Sequence, residues 1–264
     1  MEIKKLPVKR LFWDIETSLN VVLAFRAGYD LNIQHDAIVE ERKVITIAYK
    51  WEGEKRIYVL KWDEDQDDYS MLKRFMEVAE EADEMVAHYG DRFDMPWFKT
   101  RCLIHGLGPL PYYKTVDTKA WASKNFYFNS NKLDYIGGVL GLGHKISTDF
   151  SLWKDIQLKK CPIALAKMCK YNARDVDLLE GVYQRLAAWC KPKTHAGVLN
   201  GLDKWTCPRD GSKNVIKSKT RVTAEGTKTH QMKCLDCGSY FTISDPTYNK
   251  YIEMKKKKGK GKKC

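Results

Sequence analysis

Two carboxylates stand two residues apart in an otherwise apolar run, Asp14 and Glu16 of VKRLFWDIET (8–17). On a β-strand, period-two geometry puts both side chains on one face, where they repel each other and are poorly solvated. A shared divalent cation relieves that cost, and hard oxygen ligands suit Mg²⁺ or Mn²⁺. A strand end reaching solvent relieves it as well. A second pair, Tyr171 and Asp175, is spaced i and i+4, so on a helix the phenol and the carboxylate stack on one face. The pair borders a stripe of Leu165, Met168, Asn172, Val176, Leu179, Tyr183 and Leu186. At such an edge Asp175 either points into a cleft or makes a surface pair with Arg174 or a lysine. The third candidate is Asp94 in HYGDRFD (88–94), where a strand ends and a helix begins. It either joins the other acids or serves only the helix N-terminus, and Asp91 competes with it.

These residues need particular elements to bring them together. VITIAYKW (44–51) and RIYVLKW (56–62) are β-rich runs joined by a hairpin signal at Glu52-Gly53-Glu54-Lys55, and with 8–17 they make three neighbouring antiparallel strands. Residues 19–42 are irregular, a loop or short helical insertion. Met71, Phe75, Val78 and Ala82 recur at helical spacing over 66–83. A strand at 84–90, a helix at 94–105 and a strand at 113–117 follow, with helices at 118–125 and 130–141. A long helix runs from Pro162, a good first-turn residue, to about Trp189. The order β-β-β-α-β-α-β-α-α-α predicts an α/β fold with a mixed sheet.

Residues 1–189 form this first domain, and CKPKTHAGVLNGLD (190–203) reads as a linker. Residues 204–245 are too few to hold themselves together by core alone and call for a metal staple. Cys207-Pro-Arg-Asp210-Gly and Cys234-Leu-Asp-Cys237-Gly are two knuckle-type turns, each with a glycine that permits a tight backbone after the second ligand position. Zn²⁺ held by Cys207, Asp210, Cys234 and Cys237 is expected, with His230 and His195 as alternatives to Asp210. Lys213, Lys217, Lys219, Arg221 and Lys228 point this module toward nucleic acid, against a purely structural cap.

The 264 residues are 44% apolar, enough for a core. No run of eighteen apolar residues exists, and the N-terminus does not read as a secretion signal, so a cytoplasmic protein without a membrane partner is expected. Seven of the twelve net positive charges sit in the last ten residues, leaving +5 for the rest; residues 246–264 read as a disordered basic tail, either a solvated end or a grip on nucleic acid. Eight cysteines without a disulfide rhythm indicate reduced thiols plus the zinc site.

Strand D-I-E (14–16), F-D at a strand-to-helix junction (93–94) and helical Y-x-x-x-D (171–175), spaced by about eighty residues each, resemble the three exonuclease motifs of the DEDD superfamily. The tyrosine matches the DEDDy subclass. FNSNKLDYIGGVLGLGHK (128–145) and TDFSLWKD (148–155) are similar to a family of phage and bacterial exonuclease-like proteins that also carry a C-terminal zinc ribbon, so the resemblance spans roughly residues 8–245. It implies a ribonuclease H-like fold, with a mixed five-stranded sheet flanked by helices and a small zinc-ribbon-like module. It further implies two Mg²⁺ or Mn²⁺ ions, the first on Asp14, Glu16 and Asp175, with Asp14 bridging to a second near Asp94 and Tyr171 orienting the attacking water. The implied activity is 3′–5′ exonucleolytic hydrolysis of single-stranded or frayed nucleic acid, DNA ahead of RNA. In a phage-encoded protein that work belongs to the host cytoplasm, with a replication or recombination protein as a further partner.

His88 stands where related second motifs often have an asparagine that assists substrate placement, and Phe93 of the same motif joins it as a substrate-contact candidate. Trp97, Phe126, Tyr127 and Phe128 are candidates for base stacking, with Asn129, Asn131 and Lys132 near the backbone. Aromatics of this kind equally serve as core. The alternatives carried are a structure-specific endonuclease of the same fold and a non-catalytic nucleic-acid-binding adaptor.

Overall fold

The run 8–17 alternates apolar side chains to two faces and folds as β1 (Arg10–Thr17). Leu11, Trp13 and Ile15 face one core, while Phe12 packs edge-on to Tyr183 on the other side. Residues 8–28, 30–111 and 113–260 are described in the computed structural model, side chains as far as Lys256. Cys264 and the end of the expected basic tail, 261–264, lie outside the described residues, as does the N-terminal stretch 1–7.

After β1 come β2 (Val21–Val22), β3 (Ile38–Glu40), β4 (Val44–Trp51), β5 (Tyr58–Lys61), α1 (Tyr69–Glu80), β6 (Glu84–Ala87), α2 (Asp94–Ile104) and β7 (Lys114–Asp117). The helices α3 (Thr118–Asn125), α4 (Leu133–Val139), α5 (Phe150–Gln157) and α6 (Pro162–Ala187) follow. Five strands form one mixed sheet in the order β5-β4-β1-β6-β7. β4 pairs antiparallel with β1 and β5, whereas β6 pairs parallel with β1 and β7. Trp13 stacks on Phe75 and meets Phe98 edge-on, which seats α1 and α2 on one face. Ile45, Leu152, Ile156 and Met168 form a second cluster that binds α5 and α6. This is the ribonuclease H-like α/β fold expected.

Four details differ from the sequence reading. The segment 19–42 holds the small β2–β3 ladder and a 3₁₀ turn at His35–Ala37. Residues 150–157 form an additional helix, α5, capped by the Asp149 carboxylate accepting from Ser151 N–H. Its eight residues are too short a window for apolar period to announce it.

The chain divides into two compact units, Lys9–Tyr183 and a second that joins Val8 to the residues from Gln184, in the last turn of α6, onward. The second contains α7 (Ala196–Leu199), β8 (Val215–Val222), β9 (Lys228–Cys234), β10 (Tyr240–Ser244) and α8 (Asp245–Lys260). The three strands form an antiparallel sheet, β10-β9-β8. The third difference lies here: residues 245–260 are helical where a disordered tail was expected. Tyr251 is 2% exposed and its hydroxyl donates to the Val215 carbonyl at 2.7 Å, so aromatic anchors order a segment whose charge alone argues for disorder. The expected linker likewise folds: Ala196 N–H donates to the Pro208 carbonyl at 2.8 Å. Among the described residues no helix is long and apolar enough to cross a membrane.

Candidate active site

β1 delivers two acids to one face because Asp14 and Glu16 share its period, and the neighbouring β4 holds them in register against Ala48 and Thr46. The helix α6 crosses that face and brings Asp175. One carboxylate oxygen from each of Asp14, Glu16 and Asp175 lies within 4.8 Å of the others. Asp94 enters from the start of α2, and its Oδ1 accepts the N–H of Ile15, the residue between the two strand acids, at 3.0 Å. The turn that delivers Asp94 is tight. A Cβ on Gly90 would lie 2.4 Å from that of Ala87, and Tyr89 holds φ +73° with its N–H on Asp117 at 3.0 Å. Asp91, the rival candidate, is exposed in that turn.

Asp94 and Asp175 are buried, Asp14 and Glu16 half-buried. Lost solvation is the main cause that disfavours their charged forms. For Asp14, repulsion from Asp94, Asp175 and Glu16 follows, and its carboxyl is held well above the ordinary range. The same causes raise Glu16 to about 8, while burial takes Asp94 to about 7 against two backbone hydrogen bonds. Asp175 is raised by burial, although the Lys145 charge and hydrogen bonds from Lys145 and Tyr171 oppose it. Three carboxylates converging within 4.8 Å, with a single lysine as counter-charge, fit one or two divalent cations.

Two groups complete the cluster that the sequence did not flag as functional. Asn172 donates to Asp14 Oδ2 at 2.6 Å and so fixes that carboxylate. The Lys145 ammonium lies 2.6 Å from Asp175 Oδ2 and donates to the Tyr171 hydroxyl at 3.2 Å. Burial works against the Lys145 charge, but Asp175 and Asp14 outweigh it and raise its pKa. Asp175 therefore pairs with a lysine, though inside the fold and not at the surface. Arg174 turns away to hold the Leu142 and His144 carbonyls at 3.1 Å each, which clamps the loop carrying Lys145. Burial and the Asp175 and Glu16 charges push the Tyr171 phenol up, so it stays protonated at neutral pH.

The candidate substrate contacts are distributed differently. Both ring nitrogens of His88 are taken within the fold, Nδ1 by the Thr118 hydroxyl and Nε2 by the Asn131 carbonyl, each at 2.9 Å. Burial lowers its pKa to about 4, so the ring is neutral and the donor to Asn131. Phe93 and Trp97 pack partly buried against the main core, with the Arg42 guanidinium over the Trp97 ring. Phe126 and Phe128 pack on each other, leaving Tyr127 fully exposed. Asn129 donates to the Tyr135 hydroxyl at 3.2 Å, Asn131 Oδ1 is buried without a partner, and Lys132 is exposed at the N-cap of α4.

In the second unit, ligand atoms of Cys207, Asp210, Cys234 and Cys237 lie within 4.8 Å of one another. Two turns of the same construction present them. Gly211 N–H donates to the Cys207 carbonyl and Gly238 N–H to that of Cys234, with φ of +69° and +73° at the two glycines. The thiols of Cys207 and Cys237 are 3.6 Å apart, and burial pushes Cys207 and Cys234 up as free thiols. Three sulfurs and a carboxylate at these separations fit Zn²⁺. Neither alternative histidine reaches them. His230 Nε2 lies 2.7 Å from Asp245 and its ring stacks on Tyr248, while His195 caps α7 by accepting from Val198 N–H. A third acidic group, Asp67, Asp68 and His105, differs in kind. Asp68 accepts from Arg101 twice, at 2.8 and 2.9 Å, so a guanidinium already supplies the counter-charge.

A family model of the RNase_H superfamily matches residues 31–187. Among solved structures the chain is similar to the family B DNA polymerase from the hyperthermophilic archaeon Pyrobaculum calidifontis, with 17% identity and a TM-score of 0.54. That alignment covers 69% of this chain and 25% of the polymerase, a likeness of fold. No curated protein sequence matches the chain.

Proposed function

The chain belongs to the RNase H superfamily, and from that membership we propose that it is a metal-dependent 3′–5′ exonuclease acting on single-stranded or frayed nucleic acid, with DNA preferred. The observation that carries this reading is the set of Asp14, Glu16 and Asp175 oxygens within 4.8 Å, with Asp94 bonded to the backbone between the strand acids. The 3′ direction rests on the order of D-I-E, F-D and Y-x-x-x-D, which resembles the DEDDy motifs.

Asp14, Glu16 and Asp175 would hold one Mg²⁺ or Mn²⁺, with Asp14 and Asp94 toward a second. Two such ions supply an acidified water and neutralise charge on the leaving 3′-oxygen. The protein's own groups do the rest. Tyr171 keeps its proton, so its hydroxyl orients a water and does not deprotonate it. The Lys145 ammonium donates to that oxygen and Tyr171 is hydrogen-bonded to Asp175, which together fix the phenol beside the acids. Asn172 holds Asp14 in one rotamer, which preserves the ligand geometry when a substrate enters. In the C-terminal module Cys207, Asp210, Cys234 and Cys237 would hold a structural Zn²⁺.

The test is a 5′-labelled single strand incubated with Mg²⁺ or Mn²⁺. Stepwise release of mononucleotides from the 3′ end, abolished by EDTA, is expected. Full activity in EDTA would remove the mechanism, cutting of a circular single strand would point to an endonuclease, and binding without cleavage to an adaptor.

A further inference from the structure

The three-stranded sheet of the second unit has two unlike faces. Residues facing α8 are covered: Met232 and Ile243 are buried, His230 stacks on Tyr248, and Lys217 lies over the same ring. Lys228 also belongs to this side, paired with Asp245 at 3.2 Å. The opposite face is open, and strand register decides its composition. Ile216, Lys233 and Tyr240 form one row across β8, β9 and β10. A bulge between Lys217 and Lys219 then shifts β8, so Lys219 pairs with Gln231 and Arg221 with Thr229. Without that bulge the alternation would put Lys219 and Arg221 on the same face as Lys217, toward the helix and away from Lys233.

The open face therefore carries Lys219, Arg221 and Lys233, and among the described residues of the three strands it carries no acid. The only carboxylates between residues 215 and 244 are Glu225, in the β8–β9 turn, and Asp236, bonded to Ser212 and Asn214 at the knuckle. Tyr240 is 56% exposed, with the Lys233 ammonium 5.5 Å from its ring centroid. A cation beside an exposed aromatic, with the Gln231 amide and the apolar Ile216 on the same face, suits bases and phosphates of a flexible strand.

We propose that this face of the β8–β9–β10 sheet is a binding surface for single-stranded nucleic acid, in which Lys219, Arg221 and Lys233 contact phosphates and Tyr240 stacks on a base. The choice of partner rests on the nuclease reading above, but the surface is testable apart from it. Binding is measured with the full chain carrying Asp14→Asn to prevent digestion, with zinc retained, on an oligothymidylate of about thirty nucleotides. Lys219→Ala, Arg221→Ala and Lys233→Ala together should weaken binding at low salt at least about tenfold and flatten the log–log salt slope by about two. Tyr240→Ala should weaken oligothymidylate binding about tenfold and leave an abasic strand unaffected. Unchanged affinity in the triple variant overturns the proposal, as does competition by polyglutamate as strong as that by oligonucleotide. Hydrolysis of the p-nitrophenyl ester of thymidine 5′-monophosphate, with Asp14 intact, reads the catalytic pocket separately. The triple variant should retain it. Strand binding through this face without ester hydrolysis would sink the nuclease reading alone.

Discussion

At the scale of single residues, the carboxylates differ in what their loss should do. Asp14 is contacted by Asn172 and repelled by three other acids. Asp14→Ala should lower the rate of nucleotide release about a thousandfold or more, since it removes a ligand from the centre of the group. Tyr171→Phe keeps the acids and removes only an orienting hydroxyl, and a loss of about 10- to 100-fold is expected in the same assay. Lys145→Met should lower turnover and also lower the Mg²⁺ concentration needed for half-maximal activity, whereas an acid variant should raise it, because the Lys145 charge competes with a cation for Asp175. The raised carboxyls also set a pH dependence. Glu16 moves from an ordinary 4.5 to about 8, so without metal the folded state binds more protons than the unfolded one between those values. Stability of the metal-free protein should fall as pH rises through that window. Melting temperatures at pH 5 and pH 8 check it; Mg²⁺ should restore more at pH 8, and a metal-free protein that is more stable at pH 8 would contradict it.

At the scale of elements, the site depends on how β1, α2 and α6 are held. Asp68 receives Val44 N–H at 2.8 Å, Arg101 twice and His105 at 2.6 Å, tying β4, α1 and α2 together. Burial disfavours its charge, but these donors outweigh that and hold its pKa below the ordinary value. Asp68→Ala would leave the Arg101 charge buried and unpaired, and a loss of about 3–5 kcal/mol in denaturant unfolding is expected. The loop carrying Lys145 is shaped by Gly143 at φ +90°, with the Arg174 guanidinium 2.9 Å from where a Cβ would lie. That geometry explains a glycine there better than any phosphate contact would.

At the scale of the whole molecule, the two units rest on different sources of stability. Lys9–Tyr183 has an extensive aromatic core, whereas the second unit gathers a small cluster around Trp205, Met232 and Tyr251. Its thiols and Asp210 stand where a metal would staple it. Cys237→Ser, or a strong zinc chelator, should expose residues beyond about 200 to protease while 9–183 stays resistant. Limited proteolysis with mass mapping reads this, and equal resistance of both units would remove the zinc assignment.

The strand period of Asp14 and Glu16, the helical spacing of Tyr171 and Asp175, and the order of strands and helices were legible because they are local: each depends on neighbours a few residues away. The mixed sheet follows from that order. What only tertiary structure decided lies where distant segments meet. Lys145 becomes part of the site through a glycine-shaped loop and an Arg174 clamp, neither of which has a sequence period. His88 is committed to Thr118 and Asn131, and His230 is held by Asp245 and Tyr248 of helix α8, away from the cysteines. A bulge at Lys217–Lys219 sorts basic residues between two faces, a sorting that depends on register with β9 and not on composition.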